Sequence, residues 1–259
     1  MTARARKRFG QHFLHDPAIV ERILQAIAPR AGESIVEIGP GRGVLTRPLL
    51  AAAGRLDAVE IDRDLAARLA ADFPPGSGLD LHVGDALEFD FGALAARRGA
   101  RLRIVGNLPY NISTPLLFHL LETPAAFTDL HVMLQREVIE RMAAAPGSRN
   151  YGRLTVMLAP WARVEKLFDV GPGAFQPPPA VWSSVARLTL RVTPAFEVPA
   201  SFAGLVASAF SQRRKTLRNA LKALLSAAEI EAAGVDPGAR AEVVPPEGFA
   251  ALARAAAQR

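Results

Sequence analysis

The chain has 259 residues, half of them hydrophobic, and a formal net charge of +6. That excludes a disordered polypeptide and leaves room for one large domain with a small appendage. It contains no cysteine, which excludes a disulfide framework and any thiolate metal site, and its basic character points to an acidic partner, nucleic acid first.

No apolar run is long enough to span a bilayer, and the opening residues lack the apolar core of a signal peptide, so a cytoplasmic protein is expected. Arg4, Arg6, Lys7 and Arg8 lead into Phe9, Gly10, Gln11, His12, Phe13 and Leu14. A basic arm tipped with aromatics suits contact with RNA or closure over a ligand; the plainer alternative is a tail. Asp16-Pro17 then reads as an N-cap with Pro in the first helical position, followed by a helix placing Ile19, Ile23, Leu24 and Ile27 on one face.

Ser34 to Gly39 reads as a strand, followed by Pro40-Gly41-Arg42-Gly43 and a helix from Val44 to about Ala53. A dinucleotide fingerprint wants its third glycine three residues after the second, whereas here Val44 fills that place. A GxGxG turn after an acidic strand residue fits S-adenosylmethionine better than NAD. A second strand, Leu56 to Ile61, carries the carboxylate of Glu60 about twenty residues beyond the first glycine, where a nucleotide-binding fold places the acceptor for ribose hydroxyls. Asp62 caps the next helix, Leu65 to Phe73. A third strand, Leu79 to Val83, leads into Gly84-Asp85-Ala86, in which Asp85 can accept from an adenine amino group and Ala86 can offer a backbone N–H.

A fourth strand, Arg101 to Gly106, runs into Asn107-Leu108-Pro109-Tyr110. Proline cannot donate to a ladder, so this tetrapeptide belongs at the strand's carboxyl end, where open α/β sheets bind ligands. An exocyclic amino group on a nucleobase is a poor nucleophile, because its lone pair is delocalised into the ring. The Asn107 carbonyl and the backbone carbonyl of Leu108 or Pro109 can accept its two hydrogens and favour the tetrahedral form; Tyr110 offers a stacking face. A plain strand-to-loop turn is the alternative. A helix through Leu121 and a fifth strand, Thr128 to Leu134, follow. Thr155 to about Val170 reads as a long β segment, with Pro160 marking an edge or bulge. Phe175 heads a stiff Pro-rich stretch and could press a base from the side opposite Tyr110, or simply pack on the core. The last strand spans Ser184 to Val192.

Strands alternating with helices predict an α/β fold with a doubly wound, mainly parallel sheet. If the first and fourth strands are neighbours, the glycine loop faces Asn107-Leu108-Pro109-Tyr110 across the switch point. Composition shifts near Thr193-Pro194, which divides the chain into 1–193 and a small α-helical domain over 194–259. A helix from Phe202 to Leu225 would carry an apolar stripe (Val206, Phe210, Leu217, Leu221, Leu224) and a basic one of Arg214, Arg218 and Lys222, with Lys215 beside it. No acid interrupts Ser211 to Ala227, so the basic stripe reads as a phosphate-binding surface.

Together these segments resemble the ribosomal RNA adenine dimethyltransferase family, and within it the bacterial small-subunit branch. The resemblance runs through Lys7 to Leu14, Val36 to Gly43, Glu60-Ile61-Asp62, Gly84-Asp85-Ala86, Asn107 to Ser113, Phe175 to Val185, and Phe210 to Asn219, which includes Arg213. It implies a Rossmann-like methyltransferase sheet and S-adenosylmethionine contacts at His12, Leu14, Gly39, Glu60, Asp85 and Asn107, to which Gly41, Ile61 and Ala86 are added from the same motifs. It implies Asn107, Leu108, Pro109, Tyr110 and Phe175 as the catalytic set. The expected RNA contacts are Arg4, Arg6, Lys7, Arg8, Arg213, Arg214, Lys215, Arg218 and Lys222. The family usually has Asn where His12 stands, and His lacks the amide carbonyl. The implied reaction is direct methyl transfer to N6 of two adjacent adenosines near the 3′ end of small-subunit rRNA, probed on a flipped base. No metal is expected, because a sulfonium is already electrophilic. A monomer acting on rRNA within a pre-30S particle is expected. Competing readings are a large-subunit rRNA dimethyltransferase of the resistance type, a non-enzymatic assembly factor, and an NAD oxidoreductase, the last disfavoured by the glycine spacing.

Overall fold

Branched apolar runs bounded by turn residues form the strands, as their sequences predict. The computed structural model describes residues 11–212 and 214–258; Arg4, Arg6, Lys7, Arg8 and Arg213 therefore lie outside the described residues. The strands among them are, in chain order, β1 (Phe13–Leu14), β2 (Ile35–Ile38), β3 (Leu56–Glu60), β4 (Leu79–Val83), β5 (Leu102–Asn107), β6 (Phe127–Gln135), β7 (Ala162–Val170), β8 (Phe175–Gln176) and β9 (Ser183–Leu190). A seven-stranded sheet has the order β4-β3-β2-β5-β6-β9-β7, and β1 pairs with β8 as a separate antiparallel ribbon.

The strands from β4 to β6 are mutually parallel, and β9 lies antiparallel to β6. Their crossovers are the helices Thr46–Ala53, Arg63–Asp72, Phe91–Arg98 and Ser113–Leu120. β2 pairs with β3 on one side and β5 on the other, so the chain departs in opposite directions from this point and opens a crevice at the carboxyl ends. Arg103 secures β5 beside its register shift: its guanidinium meets Glu33 at 2.6 Å, Asp129 at 3.0 Å and the carbonyl of Ile27 at 2.7 Å.

Asp16 caps the helix Pro17–Ile27 through its carboxylate, with Pro17 at the first position, and Ile23 and Ile27 enter the core. Asp62 likewise caps Arg63–Asp72. One apolar core cluster gathers Leu14, Ile27, Leu49, Val105, Val170 and Phe175 among others.

Two compact units divide the chain. The first is the chain up to Ile139 together with Glu165–Leu190, and the second is Glu140–Val164 with Arg191–Arg259. Residues 140–164 thus group with the C-terminal part, whereas the expected division ran 1–193 and 194–259. The second unit has its own apolar core, including Tyr151, Val156, Phe202, Val206, Leu217 and Phe249.

Two expected elements are corrected. Thr155 to Val170 is not one β segment: a helix, Arg153–Leu158, precedes β7. Its β-branched residues suit a strand, but Val156 is fully buried in the second core and tertiary packing overrides propensity. The helix expected over Phe202 to Leu225 stops at Phe210, and a short helix, Leu217–Ala220, follows. The amides of Leu217 and Arg218 donate to the carbonyls of Ala239 and Pro237, partners that a continuous helix would have supplied from its own preceding turn. Leu217, Leu221 and Leu225 are nonetheless buried at helical spacing.

Candidate active site

A cleft opens at the carboxyl ends of β2, β3, β4 and β5. Its walls are five chain segments, Gln11 to Leu14, Glu37 to Arg42, Val59 to Ile61, Gly84 to Ala86 and Asn107 to Tyr110, supplemented by Val44, Leu45, Leu65 and Ile112. Every residue of the expected cofactor set (His12, Leu14, Gly39, Gly41, Glu60, Ile61, Asp85, Ala86, Asn107) lies on this wall, as do Leu108, Pro109 and Tyr110.

The glycine loop is possible only because of its residues. Gly39 and Gly41 have φ of 68° and 58°, the left-handed region in which a side chain is strained. A Cβ on Gly39 would stand 3.9 Å from the Asn107 carbonyl oxygen, so the two motifs meet across the switch point. Behind them the backbones are packed more tightly: a Cβ on Gly106 would lie 2.7 Å from the Ile38 carbonyl oxygen.

Glu60 ends β3 and is buried, 4% exposed as a residue. One oxygen accepts from the Gly41 amide at 3.1 Å and the other from the Asp62 amide at 2.9 Å. Burial raises its pKa, and these two amides offset part of that rise. A carboxylate has about four acceptor positions, so Glu60 keeps acceptor capacity for the hydroxyls of a ribose. Asp85 accepts from the Leu87 amide at 2.9 Å, which holds the Gly84-Asp85-Ala86 turn and leaves acceptor capacity for an adenine amino group. The donor set therefore fits a nucleoside bearing a ribose and an adenine.

At the other wall, Asn107 Nδ2 donates to the backbone carbonyl of His12 at 2.9 Å. A carbonyl only accepts, so this bond sets which end of the amide is which, and the Asn107 oxygen is the end left to accept a hydrogen bond. The His12 ring stacks on Tyr110 with centroids 5.8 Å apart, and its Nδ1 donates to the Pro177 carbonyl at 2.8 Å. The amide-holding contact of position 12 is thus a backbone one, indifferent to whether Asn or His supplies the side chain. The Tyr110 hydroxyl is 2.7 Å from the hydroxyl of buried Ser183, and burial raises the phenol's pKa further above neutrality. The Pro109 carbonyl accepts from the Ile112 amide and closes the turn.

Phe175, expected to face the base, lies apart from these residues in the structure. Its register opposite Leu14 turns the ring inward, where it is 2% exposed in the core; it does not line the cleft. The exposed neighbour in the β8 alternation is Gln176. Arg214, Lys215, Arg218 and Lys222 are exposed in the second unit, on a turn and a short helix instead of one helical face.

Sequence reasoning missed Glu37 and Gln11 as cleft residues. Glu37 is fully buried, accepts from the Thr46 hydroxyl at 2.6 Å and has its pKa raised to about 7, chiefly by burial and secondarily by repulsion from Glu60. The signal was available: a lone acid inside Ile35-Val36-Glu37-Ile38 cannot be a solvated strand position. Gln11 Nε2 donates to Asp62 at 3.2 Å, and nothing local announced that pairing.

A mainly parallel sheet of this order, with a glycine loop and carboxylates at two successive strand ends facing one cleft, defines a Rossmann-like, S-adenosylmethionine-dependent methyltransferase. The family described as "Ribosomal RNA adenine dimethylase" matches residues 2–258. The chain belongs to that family. It is similar to the Ribosomal RNA small subunit methyltransferase A of Pseudomonas aeruginosa, 53% identical over 98% of this chain and 96% of the relative. The protein of that name from Thiobacillus denitrificans is 58% identical over 92% of each chain. Among solved structures, a dimethyladenosine transferase from Plasmodium falciparum superposes with a TM-score of 0.78 at 25% identity, covering 93% of this chain and 96% of that one. The 23S rRNA methyltransferase ErmE gives 0.73 at 27% identity, covering 95% and 100%. No helix among the described residues is long and apolar enough to cross a membrane, and no group of three or more metal-ligating side chains occurs among them.

Proposed function

We propose that this chain dimethylates N6 of two adjacent adenosines near the 3′ end of small-subunit rRNA, acting as a monomer on a partly assembled subunit in the cytoplasm. The dimethylation of small-subunit rRNA adenosines follows the family. The observation that supports the N6 chemistry is the Asn107 amide, on the cleft wall and held through Nδ2 by the His12 carbonyl, which leaves its oxygen as the acceptor. Relatives at 53% and 58% identity bear a small-subunit name, against 27% for the large-subunit neighbour, which supports the small subunit as substrate.

When bound, S-adenosylmethionine supplies a methyl carbon activated by the adjoining sulfonium. Glu60 receives the ribose hydroxyls and Asp85 the adenine amino group of that donor. On the substrate side, the Asn107 side-chain oxygen and the Leu108 backbone carbonyl accept the two N6 hydrogens of a flipped adenine. The Pro109 carbonyl, already engaged by Ile112, is the weaker candidate. Tyr110, fixed by Ser183, provides the stacking face. Transfer would be direct: the N6 lone pair forms the N–C bond as the methyl carbon's bond to sulfur breaks, the electron pair stays on sulfur as a neutral thioether, and the displaced N6 proton passes to solvent.

The test is incubation of undermethylated small subunits, and separately of naked rRNA, with the purified protein and methyl donor, followed by mass spectrometry of digested RNA. Two neighbouring dimethyladenosines are expected, with the monomethyl form as intermediate. Monomethyladenosine as the sole end product at saturating donor would overturn the reading; methylation confined to large-subunit rRNA would transfer it to the other subunit.

A further inference from the structure

β9 is antiparallel to β6, so its first residues lie at the rim where the parallel strands end. Gln135 pairs with Ser183, and the ladder continues one step, the Arg136 amide donating to the Trp182 carbonyl at 2.9 Å. Ser183 is the residue that anchors the Tyr110 hydroxyl. Trp182 is therefore one residue along the backbone from the support of the catalytic face.

Trp182 remains 49% exposed and its neighbour Val181 44%. The far edge of the indole lies over Gly171, where a Cβ would stand 3.6 Å from the ring. The guanidinium of Arg136 lies over the ring, 5.9 Å from its centroid. Arg136 also acts on the carboxylate of Asp169, which is already paired with Lys166 at 2.7 Å. The contacts with Gly171 and Arg136 hold the ring on one side and leave the rest of it exposed. An indole with an adjacent guanidinium offers what an unpaired nucleotide needs: a π face for its base and a cation for its phosphate.

We propose that Trp182 and Arg136 form a stacking platform for an unpaired base next to the adenine held at Asn107, with Arg136 meeting the adjoining phosphate. The platform rests on the RNA reading above. It makes Trp182 a positioning residue that acts on the substrate strand and leaves the methyl donor's site untouched. A ribosomal protein as occupant is the competing possibility, and the Arg136 cation favours the polyanion.

The experiment measures KM for undermethylated subunits and Kd for a naked, unmethylated RNA fragment from the 3′ end of small-subunit rRNA. The variants are W182A, W182F and W182L. W182A is expected to raise both constants about tenfold, within the range for one base–aromatic stack, while calorimetric affinity for S-adenosylmethionine stays at the wild-type value. W182F should recover most of the loss and W182L should not, because phenylalanine keeps a π face and leucine only volume. The chain has two tryptophans, so the W161F background isolates Trp182 emission, which the RNA fragment should quench. Unchanged constants in W182A, equal behaviour of W182F and W182L, or a loss seen only with assembled subunits would each overturn the proposal. Failure of the wild-type protein to methylate either RNA would instead refute the functional reading on which it rests.

Discussion

Asn107 Nδ2 donates to the backbone carbonyl of His12 at 2.9 Å, across 95 residues of chain. One bond thereby couples the N-terminal segment to the carboxyl end of β5, and it leaves the amide oxygen as the acceptor proposed for N6. Asn107→Ala removes that acceptor and should lower kcat by about 10²–10³, the range for losing one preorganised polar group. His12→Ala keeps the backbone carbonyl and loses the ring's stack on Tyr110 and its Nδ1 hydrogen bond to the Pro177 carbonyl, each about 0.5–1.5 kcal/mol, so its kcat should fall by about tenfold, less than for Asn107→Ala. Single-turnover methyl transfer by both variants checks this; a His12→Ala loss as large as that of Asn107→Ala would contradict the backbone assignment.

Glu60 supplies a second prediction. Glu60→Ala should weaken S-adenosylmethionine binding by about 1.5–3 kcal/mol, the range for hydrogen bonds involving a charged group. The same residue sets a pH dependence. Its pKa is raised by burial in the unliganded protein, and ribose hydroxyls favour its ionised form, so binding should release a proton and weaken as pH falls through that raised value. Calorimetry in buffers of different ionisation heat reads the proton directly. Glu60→Gln should bind weakly and without that dependence.

Glu37 governs stability in the opposite sense to a salt-bridged acid. Its pKa is raised from 4.5 to about 7, so the folded state holds a proton that the unfolded state releases. Its contribution is fully present below about pH 4.5 and is lost as pH rises through about 7. At pH 8 the charged form should cost about 3 kcal/mol relative to a neutral group, at 1.36 kcal/mol per pKa unit. Glu37→Gln keeps an acceptor for Thr46 and should gain on wild type between pH 5 and pH 8. Urea unfolding at the two pH values measures the difference; parallel curves would refute it.

The basic residues of the second unit lead to a salt-dependence prediction. Arg214, Lys215, Arg218 and Lys222 are all exposed, with no acid from Ser211 to Ala227. Replacing the four by Gln should weaken RNA binding and flatten its salt dependence by about 0.7–0.9 log units per lost phosphate contact. Affinity for S-adenosylmethionine should not change. A quadruple variant with the wild-type slope would leave these residues as a solvated surface only.

Most of the cleft was legible because its residues answer to local demands. Gly39 and Gly41 hold positive φ, which favours glycine, and Glu60 and Asp85 sit where strands end at the cleft. Asp16 and Asp62 cap helices that begin right after them. The errors fell where the local signal was compatible with two outcomes. Thr155-Val156 suits a strand as well as a buried helix, and no Gly or Pro between Ser211 and Thr216 announces the end of a helix.

The sequence alone determined the α/β class, the order of the ligand-facing strand ends and the family, because hydrophobic period, turn residues and motif spacing are all short-range properties. Tertiary structure decided what depends on partners far away in the chain. It set the Asn107 amide by the His12 carbonyl, turned the Phe175 ring inward through its pairing opposite Leu14, and drew residues 140–164 into the second unit. It also buried Glu37 and so moved its pKa. The common reason is that burial and long-range hydrogen bonds are properties of the packed whole, and a side chain's orientation follows from the partners that packing brings to it.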